Sequence, residues 1–229
     1  MQIIELNDRK CKRIQYKADL LVSNKHYNNI SVNIYMEMSR EALLGFGKKM
    51  IRIASDSEIR NNAEFHTDSI ERCASQPLGF FINYLSGDFI MLINDSYDEV
   101  SQAEEYKYFC DENQKPIKYC VYPEEEGWII EDHEIGRYNL AKICVKDICG
   151  NDISTNVGDI IIKIGKKGMY EFGKHIIILA NNFQKEKIYG IPNNNMKCDI
   201  DYDFGIFFEN NKLFIRCVDV LPLQYDDIY

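Results

Sequence analysis

The sequence has no long apolar run, no excess of positive charge and no recognisable catalytic motif, and each absence argues against a class of protein. No run approaches the roughly 20 apolar residues that a membrane-spanning helix needs. The formal net charge of -9 argues against nucleic-acid binding and against docking on an anionic membrane. Hydrophobic residues nevertheless make up 45% of the chain, which is enough for a packed core.

Residue types that carry catalysis or bind metals are present, but not at the spacings that such sites need. Cys144 and Cys149 are too far apart for a C-x2-C zinc pair, and the four histidines are scattered. Residues 165–168 (Gly-Lys-Lys-Gly) precede a predicted helix but lack the spacing of a phosphate-binding loop, so an exposed turn is the better interpretation. We therefore expect no catalytic residue, no metal site, no cofactor and a non-enzymatic role.

The eight cysteines bear on the compartment. The N-terminus has no apolar region of the kind that a signal peptide contains, so the cysteine count gives no support for export. Several cysteines lie inside apolar runs, such as Cys144 between Ile143 and Val145, where a free thiol packs as a small hydrophobic side chain. We expect reduced cysteines and a cytoplasmic protein.

An internal repeat is the most informative pattern in the chain. The triplet Phe-Gly-Lys at 46–48 recurs at 172–174, and the same offset of 126 residues aligns the alternating segment 34–38 with 160–164. Self-similarity at one ungapped offset predicts that a fold unit occurs twice.

Each copy contains one amphipathic helix whose apolar residues recur at helical spacing. The apolar stripe consists of Leu43, Phe46, Gly47, Met50, Ile51 and Ala54 in the first copy, and of Met169, Phe172, Gly173, Ile176, Ile177 and Ala180 in the second. A glycine inside a helix costs about 1 kcal/mol relative to alanine. Gly47 and Gly173 therefore predict a close approach of the helix backbone to a sheet.

Strands are predicted on both sides of each helix, so the predicted fold class is α+β. The predicted strands are 18–22, 30–38, 79–82 and 89–93 around the first helix, and 160–164, 205–208 and 213–218 around the second. We expect two tandem copies of a strand-strand-helix-strand-strand unit, each a mostly antiparallel sheet with one helix packed on one face. The copies would occupy residues 1–100 and 138–229. Asn210-Asn211 suits a tight hairpin turn between the last two strands.

The connecting segment, residues 101–137, is acidic and contains aromatic residues. Between residues 101 and 140 there are ten Asp or Glu and four Lys or Arg. Charge runs of this kind are most often solvated surface. The alternative is a contact for a basic protein partner, since aromatic anchors ringed by charge are typical of binding hot spots. The residues predicted to bind that partner are Glu124, Glu125, Glu126, Trp128, Glu131, Asp132 and Glu134.

The repeated helix pattern Met/Leu-x-x-Phe-Gly-Lys-x-Met/Ile-Ile, flanked by alternating strands in a small acidic chain, resembles the immunity proteins of bacterial polymorphic-toxin systems. The resemblance covers Ile34–Ala54 and Leu78–Ile93 best, and no functional residue is carried over by motif. It implies a protein that binds and blocks a cognate toxin, often a basic nuclease. The alternative is a small-molecule-binding or enzymatic α+β protein with a pocket between the pseudo-symmetric halves.

Overall fold

The computed structural model describes residues 2–5, 9–24, 31–68, 77–83, 87–98, 100–107, 118–121, 140–189, 197–199, 206–208 and 211–218. The strands and helices, in chain order, are β1 (Gln2–Glu5), β2 (Arg9–Asn24), β3 (Val32–Ser39), α1 (Arg40–Ser55), β4 (Glu64–Asp68), β5 (Pro77–Asn83), β6 (Phe89–Ile93), β7 (Val100–Lys107), β8 (Lys118–Val121), β9 (Leu140–Asp147), β10 (Val157–Ile164), α2 (Lys166–Tyr189), β11 (Lys197–Asp199), β12 (Ile206–Phe208) and β13 (Lys212–Val218). Two short 3-10 helices span Asp95–Asp98 and Ser154–Asn156.

The chain divides into two compact units. The small unit comprises Met1–Gln15 and Val100–Asp132, and within it β1 pairs antiparallel with β8. The large unit comprises Tyr16–Glu99 and His133–Tyr229 and contains both helices. The division into residues 1–100, 101–137 and 138–229 stays a prediction.

The large unit is α+β, as predicted, and is built on one mixed sheet. Its strand order is β11-β13-β3-β9-β5-β4-β6-β10-β2-β12. Parallel pairs such as β13 with β3 lie beside antiparallel pairs such as β3 with β9. The expectation of a mostly antiparallel sheet within each copy is therefore wrong, because strands of the two predicted copies interleave in a common sheet.

Strands that follow each other along the chain are not always neighbours in the sheet. β4 lies between β5 and β6. β12 pairs with β2, whereas β13 pairs with β3 and β11, so these two strands do not form the predicted hairpin with each other. Asn210 lies outside the described residues. Asn211 instead bridges two strands: its Oδ1 accepts from the Val32 amide at 2.9 Å, and its Nδ2 donates to the Leu20 carbonyl.

Helix α1 begins where the sequence places a capping residue. The Ser39 hydroxyl accepts a hydrogen bond from the amide of Ala42 at 3.1 Å, which satisfies one of the free amides of the first turn. Glu41 in the first turn and Arg52 in the last both complement the helix dipole. The same Ser39 hydroxyl accepts from the amide of Leu140 at 3.3 Å, so the cap also ties α1 to β9.

The two helices pack directly on each other at their glycines. A Cβ atom at Gly47 would lie 2.8 Å from the Gly173 carbonyl oxygen, and one at Gly173 would lie 2.7 Å from the Gly47 carbonyl oxygen. The glycines thus permit a close backbone approach, as expected, but the partner is the other helix and not a sheet. The Phe46 ring meets Phe172 edge to face, with centroids 6.0 Å apart.

The core lies between the helices and the inward face of the sheet. Along β3, Val32, Ile34, Met36 and Met38 are buried, and the residues between them face outward. The same alternation holds in β9 and β13. Removing a large apolar side chain from water stabilises the folded state by about 1.5–3 kcal/mol. Because side chains alternate along a strand, burial of this inward face determines which residues point away from the core.

Candidate functional site

Three neighbouring strands of the large unit, β13, β3 and β9, present a charged and aromatic outer face. The register places each outward residue of β3 between one residue of β13 and one of β9. The face consists of three rows: Lys212, Asn33 and Lys146; Phe214, Tyr35 and Cys144; and Arg216, Glu37 and Lys142. We call these nine residues the basic–aromatic face. Paired strands lie about 4.8 Å apart and alternate residues about 6.6 Å apart, so the face spans roughly 10 by 13 Å.

Tyr35 lies at the centre of the basic–aromatic face. Its ring stacks on Phe214 with centroids 5.0 Å apart and planes inclined by 13°. The Lys146 ammonium lies 5.6 Å from the Tyr35 ring centroid. Because β13 and β9 flank β3 on opposite sides, Tyr35 contacts one side chain from each neighbouring strand.

The basic–aromatic face is opposite in sign to the chain as a whole. Four of its nine side chains are cationic and one, Glu37, is a carboxylate, whereas the chain carries a net charge of -9. Arg216 Nη1 lies 3.6 Å from Glu37 Oε1, and the two side chains are 54% and 39% exposed. Such a solvated ion pair contributes about 0–1 kcal/mol to stability, so these charges are available to a partner at little cost to the fold.

One edge of the face holds a small hydrogen-bonded cluster. Ser154 Oγ donates to Asp152 Oδ1 at 2.6 Å and accepts from the Val145 amide at 2.9 Å. Cys144 Sγ donates to Asp152 Oδ2 at 3.4 Å. Burial, followed by that hydrogen bond, raises the pKa of the Cys144 thiol. Since the thiolate is the nucleophilic form, this arrangement favours a structural thiol over a reactive one.

A tight turn after β9 presents an exposed apolar side chain. Asp147 Oδ1 accepts hydrogen bonds from the amides of Cys149 at 2.9 Å and Asn151 at 2.8 Å, and Gly150 adopts the left-handed φ of 88° that the turn requires. Hydrogen bonds from Asn151 are the main reason that the pKa of the Asp147 carboxyl is lowered. Ile148 lies in this turn and is 77% exposed. It follows the row of Lys212, Asn33 and Lys146 along β9.

The Gly-Lys-Lys-Gly segment at 165–168 has a structural role. The first-turn amide of Lys167 donates to Asp98 Oδ1 at 2.9 Å, so a carboxylate of the chain itself occupies the N-terminus of α2. Lys166 Nζ donates to the carbonyl oxygen of Asp56 at 2.9 Å, at the end of α1. Next to Asp98, the Tyr97 hydroxyl donates to the Asp19 carboxylate. Burial and this hydrogen bond raise the pKa of Tyr97 to about 12.

The partner-binding residues predicted from the acidic segment lie outside the described residues. These are Glu124, Glu125, Glu126, Trp128, Glu131, Asp132 and Glu134. His66, one of the four histidines that are scattered in the sequence, is in β4. The basic–aromatic face was missed because its rows combine three segments far apart in sequence. The alternation of 30–38 and 213–218 was visible, but their pairing with each other was not.

Within the part of the chain that the structure describes, no three or more His, Cys, Asp and Glu side chains are grouped so as to hold a metal ion. The described helices also include none with the length and apolar character needed to cross a membrane.

Comparison with known proteins gave no match to a protein-family model, to a curated protein or to a solved structure.

Proposed function

We propose that this protein is a non-enzymatic binding protein that recognises another protein through its charged surfaces and neutralises it, as the immunity proteins that its helix pattern resembles neutralise toxins. The observation that supports this is the basic–aromatic face. Its nine side chains project from three paired strands whose other side is part of the core. A surface whose backbone is held in place by the fold loses little backbone entropy on binding, which favours affinity.

The acidic segment provides a proposed contact of the opposite sign. Glutamates 124–126 beside Trp128 would meet a basic partner, and opposite charge would steer the encounter and make the association rate sensitive to salt. Support for this contact comes from the sequence alone. Together, an acidic and a basic surface fit a partner whose own charge is unevenly distributed.

We also propose that the large unit is an internal duplication in which the copies exchange strands. Support comes from the strand order. If each strand is replaced by its counterpart in the other copy, the first five strands of the sheet, β11-β13-β3-β9-β5, become its last five, β4-β6-β10-β2-β12, in the same order. Each pairing keeps its sense: for example, β13 with β3 and β6 with β10 are both parallel.

The registers of the two halves agree as well. Met38 pairs with Ala141, and Ile164, which is 126 residues after Met38, pairs with Ala18. Ile82 also pairs with Ala141, and Phe208, which is 126 residues after Ile82, also pairs with Ala18. A slip of one residue would turn every side chain of a strand to the other face, so agreement of several registers supports a shared origin.

The alternative, a small-molecule pocket between the halves, gains no support from the seam between the helices. Gly47 and Gly173 bring α1 and α2 into direct contact, and Ile176 and Ile177 fill the space beside Gly47. The contact between α1 and α2 at these residues is therefore filled by packed atoms of the chain.

Capture of the tagged protein's partner from its own cells at low and high salt tests the proposed function. We expect one stoichiometric protein that elutes with salt. We also expect weaker capture by Lys146→Glu/Lys212→Glu, or by the triple replacement of glutamates 124–126 with lysine. Recovery of no protein by the wild type, together with a melting temperature raised by a small metabolite, would contradict the proposal and favour the pocket.

A further inference from the structure

We infer that the basic–aromatic face binds an acidic, extended segment of a protein partner. This inference rests on the proposed binding function and adds the chemistry of the contact. Its first support is the row of Lys212, Asn33 and Lys146, in which two ammonium groups flank an amide. Lys212 is exposed, and Arg216 lies four residues further along the same strand.

The spacing of the cations fits a chain in the extended conformation. Side chains on one face of an extended segment recur about every 6.6 Å, so Lys212 and Arg216 are separated by about two such repeats. Acidic residues at alternate positions of a bound segment can therefore reach both cations. Arg216 has five N–H donors, and its 3.6 Å contact with Glu37 leaves others for a second carboxylate.

The aromatic pair favours carboxylates over nucleobases. Proteins that hold single-stranded nucleic acid stack the bases on open aromatic faces. In this structure the Tyr35 ring is stacked on Phe214, and the Lys146 ammonium lies 5.6 Å from its centroid. The edges of the rings carry the positive part of the aromatic quadrupole, which attracts anionic oxygen atoms.

The remaining surroundings also favour a short acidic segment. The whole-chain charge of -9 repels a long polyanion, but screening limits that repulsion to about 8 Å at physiological salt, and four of the nine residues of the face are cations. The α2 N-terminus, which could otherwise bind a phosphate, is occupied by Asp98. Ile148, 77% exposed beyond the Lys146 row, offers an apolar contact at one end of the segment.

The test is fluorescence anisotropy at physiological salt with two labelled probes, a short oligoglutamate peptide and a single-stranded oligothymidylate of equal charge. The test variant is Lys146→Glu/Lys212→Glu. The matched control is Lys17→Glu/Lys163→Glu, which reverses the same number of charges on β2 and β10. We expect the wild type and the control to bind oligoglutamate within about twofold of each other, and the test variant to bind it about tenfold more weakly or worse.

Three outcomes would overturn the inference: no binding of oligoglutamate, tighter binding of oligothymidylate, or equal losses in both variants. Melting curves of the two variants show whether each is folded, and Lys212→Glu alone serves if the double variant is not. A captured partner that binds the test variant as well as the wild type overturns the inference while the proposed function stands. Oligoglutamate binding at the face with no captured protein supports the inference and counts against the proposed function.

Discussion

Adding one methyl group at the seam between α1 and α2 should destabilise the protein, although alanine normally stabilises a helix relative to glycine. In Gly173→Ala the new Cβ would lie 2.7 Å from the Gly47 carbonyl oxygen, 2.9 Å from Ile51 Cγ1 and 3.2 Å from the Ile51 amide nitrogen. Two of these three atoms belong to the backbone of α1 and cannot rotate away. The helices must therefore separate by a few tenths of an ångström.

Two opposing contributions determine how much Gly173→Ala changes the free energy of unfolding. Replacing glycine by alanine in a helix gains about 1 kcal/mol, whereas overpacking a core costs about 1–3 kcal/mol. Because backbone atoms obstruct the new methyl group, we take the upper part of that range. The net loss in the free energy of unfolding is then about 1–2 kcal/mol, which lowers the melting temperature by about 2–8 °C.

Thermal unfolding followed by circular dichroism measures this effect. Asn181→Ala, at an exposed position of α2, is the control and should raise the melting temperature slightly. The double variant Gly47→Ala/Gly173→Ala should lose at least about 0.5 kcal/mol less free energy of unfolding than the two single variants lose together, because helices that have already separated accommodate both methyl groups. If both single variants are stabilised as Asn181→Ala is, the packing argument is refuted.

Three further predictions concern a cap, a titrating tyrosine and the exposed turn. Ser39→Ala removes the acceptor for the amides of Ala42 and Leu140, and should lower the free energy of unfolding in urea by about 1–2 kcal/mol; no loss would mean the cap is dispensable. Since the folded-state pKa of Tyr97 is about 12 and the ordinary pKa of tyrosine is 10.0, the stability that this shift adds to the protein is present below pH 10 and is lost as the pH rises toward 12. The melting temperature of Tyr97→Phe should thus fall less steeply over that range than that of the wild type, and parallel curves would contradict the assignment. Ile148→Ser, which removes the apolar contact without changing the charge, should leave the melting temperature unchanged and weaken partner binding, as titration calorimetry can show; unchanged affinity would remove the turn from the interface.

Local features were predictable from the sequence, and pairing was not. The apolar stripe of α1 and the Ser39 cap depend on residues within a few turns of one another, so periodicity and residue type were enough to predict them. The strand at 34–38 was equally visible. A period of two shows which residues share a face but not which strand lies alongside, so the approach of β13 to β3 could not be foreseen.

The same limit explains the candidate site. The acidic segment was found because its charges are contiguous in sequence. The basic–aromatic face draws two cations from β13 and two from β9, around Tyr35 of β3, and none of these strands is strongly basic by itself. β4 was missed for a different reason. The buried residues described in this short strand are Phe65 and Thr67, and two such residues are too few to form a visible alternation of apolar and polar positions.

Calorimetry at two salt concentrations measures the affinity of the captured partner for the wild-type protein and for the variants Lys146→Glu/Lys212→Glu and Lys17→Glu/Lys163→Glu. We expect an affinity that falls with salt, a loss of about tenfold or more in the first variant, and little change in the second. Equal affinity for all three proteins would contradict the claim that the protein acts through its basic–aromatic face.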